Sequence, residues 1–269
     1  MGQMLVRGGD LDGNLGRAAA MIRAAGAAGC QAVVLPECLD VGWTHPAART
    51  LAQPIPGPTS AALCAAARAT GIMVAAGLVE RDGPRLFNAA LLISAEGEIL
   101  LKHRKINILE IAQDLYAVGD RLGVAQTAVG TLGLDICADN FPDSLALGHA
   151  LGRMGARCLL SPSAWAVPAD HDQVRDPYGA MWVEAYGQLA RLYDMAVVGV
   201  SNVGPVEAGP WAGRRCVGCS LAVGPGGAVL ARGPCGSEAL VPVDIPSAPA
   251  SARGTGIAVA LRARGYTGP

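Results

Sequence analysis

The sequence predicts a mixed α/β sandwich, and three observations carry that expectation. Short apolar runs of strand character alternate with alanine-rich stretches of helical period along most of the chain. Hairpin signals interrupt the alternation, which argues against a purely parallel, doubly wound sheet. No linker or short-period repeat divides the 269 residues. One domain over 1–269 is therefore expected, with about 247–269 as a C-terminal tail that has no core pattern.

The elements follow in order. Gln3 to Arg7 is a short first strand, and Leu11 to Ala28 an amphipathic helix that Gly29 ends. Gln31 to Pro36 is a buried strand with Glu37 directly behind it, an acid at the carboxyl end of an apolar strand, where α/β proteins tend to place sites. Pro58 and Thr59 precede a helix that stops at Thr70 before Gly71. Ile72 to Val79 and Leu86 to Ile93 form a hairpin across Arg81, Asp82 and Gly83. Ile99 to His103 leads into Lys105. Val124 to Val129 and Leu132 to Cys137 pair next, and the second of them delivers a thiol into a turn before Pro142 opens a helix to about Gly155. Cys158 to Leu160 is a strand, Ser161 to Arg175 a long loop, and Asp176 and Pro177 the cap and first position of a helix to about Tyr193. Ala196 to Val203 is a further strand. Leu221 to Val223, Ala228 to Ala231 and Ala239 to Val243, separated by Gly and Pro turns, make a β-rich closing section.

Composition narrows the function classes. A hydrophobic fraction of 51% against 16% charged residues is ample for a core with a recessed site. A net charge of −1 with scattered basic residues gives no electropositive field for nucleic acid. No apolar run reaches the roughly 18 residues of a membrane helix, and no secretory signal opens the chain. The expectation is a cytoplasmic protein whose partners are small molecules, with some apolar surface reserved for self-association. Eight cysteines in such a chain are expected as reduced packing thiols. Cys216 and Cys219 have zinc-ligand spacing, but nothing completes a tetrahedral site, so no metal is expected.

Three chemistry-bearing residues fall at the ends of three separate strands: Glu37, Lys105 and Cys137. Thiol chemistry needs a thiolate; a carboxylate can take the proton, and an ammonium can stabilise both thiolate and oxyanion. Of the 21 Lys plus Arg residues only Lys102 and Lys105 are lysine, which is modest support for a site that needs a compact ammonium. Taken singly, each residue has a plainer reading: a solvated loop acid, a surface charge, a packed thiol.

Their contexts reverse that reading. Val33-Val-Leu-Pro-Glu-Cys38, His103-Arg-Lys-Ile-Asn107 and Gly133-Leu-Asp-Ile-Cys-Ala-Asp139, in this order, resemble the three catalytic segments of the nitrilase, or carbon-nitrogen hydrolase, superfamily. Gly8-Gly-Asp10 with Asn14, Ser161-Pro-Ser-Ala-Trp165, Ser201-Asn202 and Gly218-Cys-Ser220 extend the resemblance over nearly the whole chain. It implies a four-layer α-β-β-α sandwich that commonly forms a homodimer or higher homo-oligomer. It implies a cofactor-independent amidase in which Glu37 deprotonates Cys137, Lys105 holds the tetrahedral intermediate, the Ala138 N–H shares the oxyanion, and water cleaves a thioester. A small linear amide is the expected substrate, with a carbamoyl compound or nitrile as the alternative. Trp165 and Arg175 are candidates for the substrate pocket, Arg175 for a substrate carboxylate.

The chain departs from the family pattern in three places. The nucleophile segment Cys137-Ala-Asp-Asn-Phe-Pro-Asp143 is one residue short and lacks an arginine. The position expected for a second glutamate, counted back from Gly119-Asp120, is Ala112; Glu110 would reach Lys105 if the loop bulges, and Asp114 is another candidate. The first strand looks clipped. These departures motivate a second class of function, a non-catalytic scaffold that retains the fold.

Overall fold

Asp10 accepts a hydrogen bond from the Gly13 N–H at 3.1 Å and so caps helix α1 (Leu11–Ala27), satisfying one of its orphan donors. The helix turns Ala18, Ile22 and Ala25 inward, the spacing of a single buried stripe. After strand β1 (Ala32–Val34), helix α2 (Pro58–Thr70) starts on a proline pre-set for its first turn. It ends at Gly71, whose φ of +67° suits a residue without Cβ. The two helices pack side by side over a sheet of β1, β2 (Met73–Asp82), β3 (Arg85–Ile93) and β4 (Ile99–Arg104), in that order. β1 runs parallel to β2; the other pairs are antiparallel.

A six-stranded sheet faces it. Strands β5 (Val124–Thr127) and β6 (Gly130–Leu134) form a hairpin, helix α3 (Leu145–Arg153) follows, and then come β7 (Cys158–Ser163), helix α4 (Ala180–Tyr193), β8 (Ala196–Ser201), β9 (Leu221–Val223) and β10 (Val229–Arg232). The spatial order is β10-β9-β8-β7-β6-β5, with β6, β7 and β8 mutually parallel. The structure, a computed structural model, describes residues 1–246 and 254–268.

Strand alternation produces the layers. Val74, Ala76, Leu91 and Ile93 point into a core with Ile22 of α1 and Leu63 of α2. Their neighbours Ala75, Ala90 and Leu92 point the opposite way, into a core with Leu134, Leu160 and Val198 of the second sheet. Trp182, Leu189 and Tyr193 of α4 belong to that second core and cover the far side. Helix, sheet, sheet, helix is the four-layer sandwich expected.

Several elements differ from expectation. The first strand is only Gly2–Gln3, paired with Ala239–Leu240. The run into Cys137 ends as a strand at Leu134 and becomes a 3-10 turn over Cys137–Asn140. Pro142 opens a short 3-10 turn, and α3 begins only at Leu145. The loop expected from Ser161 contains the end of β7 and a short strand, Ala166–Val167, in a three-stranded sheet with Val203–Pro205 and Arg215–Val217. Helix α4 does not start at Pro177, because Gly179 is left-handed, with φ +117°, and the helix forms after it. Cys219 and Cys235 form a disulfide, not the reduced thiols expected; their Cα atoms, 4.7 Å apart, lie within the range a disulfide spans. In the tail, 247–253 and 269 lie outside the described residues, but Gly256–Ala263 is helix α5, with Ile257 and Leu261 buried in the second core. No described helix is long and apolar enough to cross a membrane.

Candidate active site

Glu37 follows Pro36 off the end of β1, and its backbone N–H donates to Ser163 O on β7 of the facing sheet at 3.1 Å. Gly77 on β2 permits that approach: a Cβ there would stand 2.5 Å from the Cα of Glu37. Lys105 leaves the end of β4, its backbone N–H donating to Asn88 O on β3 at 2.8 Å. The two side chains meet in the interior, Lys105 Nζ 2.7 Å from Glu37 Oε1, with 2% and 0% of the side chains exposed. Asn88 Nδ2 donates to the same Oε1 at 2.6 Å. Two donors thus fix one carboxylate oxygen.

Cys137 comes from the other sheet. It is the first residue of the 3-10 turn after β6 and has φ +47°, a left-handed conformation uncommon for a residue with a side chain. The Glu37 charge acts on its thiol, and Glu37 Oε2 has no hydrogen-bond partner among the described residues. Burial first, and the Glu37 charge second, push the thiol up to about 12, while the Lys105 ammonium pulls it back. Burial alone would lower the Lys105 value, but the charges of Glu37, Cys137 and Asp139 more than reverse that, and the amine lies above its ordinary range. The resting arrangement is therefore a neutral thiol beside a carboxylate-ammonium pair. The N–H of Ala138 stands in the first turn, among the donors that the turn itself does not use.

Asp139 joins the amine segment to the thiol segment. Its Oδ1 accepts from the backbone N–H groups of Ile106 and Asn107 at 3.1 and 2.7 Å. Its Oδ2 accepts from the Ile136 N–H at 3.1 Å and lies 2.8 Å from His103 Nε2. Asn107 Nδ2 adds a bond to Ala138 O at 2.6 Å. Four of these contacts lock the amine segment to the thiol turn, and the Ile136 bond closes the turn on itself. Asp139, Asn88 and His103 had no individual role in the sequence analysis. The polar residues of the quoted motifs were the available signal, but their partners come from other strands.

A cavity of about 80 Å³ opens over Cys137 and Lys105. All four tryptophans of the chain, Trp43, Trp165, Trp182 and Trp211, line it, with Phe141 and Tyr178. Trp165 is buried and stacks on Trp182 with ring centroids 4.9 Å apart, so the structure places this pocket candidate on the wall. Arg175 is not there: it is exposed on the loop before α4, where a long cation keeps its hydration. Glu110 is also exposed, at the start of a 3-10 turn, and makes no ion pair with Lys105 among the described residues. Ala112 is the buried residue of that turn. Asp114 is exposed as well, and its backbone oxygen, not its carboxylate, is what Arg49 contacts. Apart from Glu37, the buried carboxylate whose charge reaches Lys105 is Asp139. Cys219, being in the disulfide, leaves Cys216 no thiolate partner for a metal.

A buried carboxylate, amine and thiol thus meet at the ends of the strands of a layered sandwich. The profile described as carbon-nitrogen hydrolase matches residues 1–253, and the chain belongs to that family. The chain is 30% identical over 162 residues to the omega-amidase NIT2 of Danio rerio, a match covering 56% of this chain and 58% of the relative. It is 34% identical over 164 residues to a nitrilase of Pyrococcus abyssi, covering 58% and 61%. These matches span less than two thirds of the length of either relative. Among solved structures, a mutant of the amidase from Nesterenkonia sp. AN1 superposes with a TM-score of 0.77 over 91% of both chains at 22% identity, a likeness of fold.

Proposed function

We propose that the protein is a cysteine-dependent amidase acting on small neutral amides, with Glu37, Lys105 and Cys137 as its catalytic residues. The observation that carries the reading is the buried contact between Glu37 and Lys105 at 2.7 Å beside a thiol that remains neutral at rest. A thiol held near 12 does not attack unaided, so Glu37 takes its proton as sulfur bonds to the amide carbon. Lys105 and the Ala138 N–H receive the oxygen's developing charge; losing one such donor typically removes about 2.7 to 4 kcal/mol of transition-state stabilisation. Collapse of the tetrahedral adduct returns the proton to the departing nitrogen, and ammonia leaves. Water, deprotonated by the same carboxylate, then cleaves the thioester to the free acid and restores the thiol.

The cavity supports the substrate class. Aromatic side chains make up half of its lining residues, and its one lining cation, Lys105, is already paired with Glu37, so a distant substrate carboxylate would find no counter-charge. A nitrile would meet the same sulfur, and the Pyrococcus relative carries that name, but the paired oxyanion donors suit a carbonyl oxygen. The complete trio favours catalysis over a scaffold. We further infer one domain over 1–269, a cytoplasmic location, and a homodimer or higher homo-oligomer, the last of which rests on the family resemblance.

The test is Cys137→Ala assayed for ammonia release across amides, carbamoyl amino acids and nitriles, with intact-mass detection of the acyl-protein. Turnover and thioester should both disappear while the fold persists. Undiminished hydrolysis would remove the assignment.

A further inference from the structure

A non-glycine residue at φ +47° stays there only if its surroundings over-determine it. For Cys137 the restraint is a second buried polar chain, separate from the Glu37–Lys105 pair. The Cys137 N–H donates to Ser161 Oγ at 3.1 Å. Asn140 Nδ2 donates to that same oxygen at 3.1 Å and to Asp135 Oδ1 at 2.7 Å. Asp135, Asn140 and Ser161 are all fully buried. Asp135 precedes the turn and Asn140 closes it, so their bond ties the two ends of the turn together, and Ser161 on β7 anchors the middle.

We infer that Asp135, acting through Asn140 and Ser161, is a positioning residue that holds the Cys137 turn in its reactive geometry. The inference rests on Cys137 being the nucleophile, and none of the three residues lines the substrate cavity. A purely structural role accounts poorly for an acid at this place. Its Oδ2 accepts no hydrogen bond among the described residues, and an uncompensated buried acid subtracts from stability.

The placement has a pH consequence. Burial first, and then the charge of Asp139, push the Asp135 carboxyl up to about 7. Ser161 first, then His103 and Asn140, oppose that rise, and the Tyr186 hydroxyl also faces the group. Below neutrality Asp135 is uncharged; above it a negative charge stands near the turn that carries the sulfur. That charge works against the thiolate, so the rise of Cys137 reactivity with pH should bend near neutrality.

The test uses the full chain and labels it with iodoacetamide between about pH 6 and pH 9, scoring residue 137 by peptide mass so that the other free thiols do not count. Asp135→Ala and Asn140→Ala should slow labelling about tenfold or more and lower kcat with little change in KM. Asp135→Asn keeps the acceptor oxygen and cannot ionise. It should recover labelling to within about threefold and remove the bend. Wild-type rates in the alanine variants, an Asp135→Asn variant as slow as Asp135→Ala, or a bend that survives Asp135→Asn would each overturn the inference. If the alanine variants do not fold, the Asp135→Asn profile decides alone. Failure of the function reading is distinct: it is a silent substrate panel, which leaves the labelling profile interpretable.

Discussion

Gly77→Ala should uncouple the carboxylate from the amine without touching either. A Cβ at this position would lie 2.5 Å from Glu37 Cα, 2.8 Å from Pro36 O and 3.0 Å from Cys38 N. All three are backbone atoms, so no flexible side chain can yield. Ordinary contact is about 3.4 Å, and the shortfall of about 0.9 Å must be met by moving the Glu37 segment away from β2. Two backbone hydrogen bonds resist that movement, Gly77 N to Pro36 O at 3.0 Å and Leu39 N to Gly77 O at 2.9 Å. A displacement of that size along the Glu37–Lys105 axis would stretch the 2.7 Å contact to about 3.6 Å, beyond hydrogen-bond range. Misplacement of about 1 Å can lower kcat about 10²-fold, equivalent to about 2.7 kcal/mol of transition-state stabilisation. The overpacking itself should lower stability by about 1 to 3 kcal/mol. The assay is kcat/KM for ammonia release from a neutral amide, beside a thermal melt that shows the variant folded at the assay temperature. A folded variant working within about threefold of wild type would refute the claim that Gly77 sets the position of the carboxylate.

Three further outcomes follow from the geometry. An amide with a carboxylate at its far end should be hydrolysed with kcat/KM lower by about 10²-fold or more than a neutral amide of equal length, because an unpaired charge among the tryptophans is costly; equal values would show a counter-ion in the pocket. Burial raises Asp40 to about 7, so the folded chain holds a proton that the unfolded chain has lost above its ordinary value. The Asp40 contribution to stability therefore falls as pH rises from about 4 to 7, and the stability difference between Asp40→Asn and wild type should tilt toward the variant over that window by up to about 4 kcal/mol, read by denaturant unfolding. Cys235→Ser opens a crosslink spanning 16 residues and should lower unfolding free energy by about 3 kcal/mol under non-reducing conditions; an unchanged midpoint would mean that the bond does not form in solution.

The parts of the site legible in the sequence were those that a strand delivers directly. Glu37, Lys105 and Cys137 each end an apolar run, and the motif around each adds specificity that periodicity cannot. Asp139, Asn88 and Ser161 were not legible in these roles, because each acts through a partner far off in the chain and a polar residue carries no mark of whom it will meet. Glu110 failed for a local reason: the 3-10 turn buries Ala112 and leaves the glutamate in solvent. The late start of α4 was hidden by Asp176 and Pro177, a genuine initiation signal that Gly179 overrides by turning the chain first. Helix α5 carries only Ile257 and Leu261 as buried anchors among small and charged neighbours, too thin a pattern to register as a core. The Cys219–Cys235 pairing is a fact of space that spacing alone does not encode.

The acid and the amine ride on one sheet and the sulfur on the other, with the Glu37 N–H bonded across to Ser163. How far the sulfur stands from the acid and the amine is thus a reading of how two slabs are stacked. Repacking Ala75, Leu92 or Leu160, deep between those slabs, offers a way to tune the rate from residues no substrate will ever meet, and warming that lets the slabs slip should silence the protein before it melts.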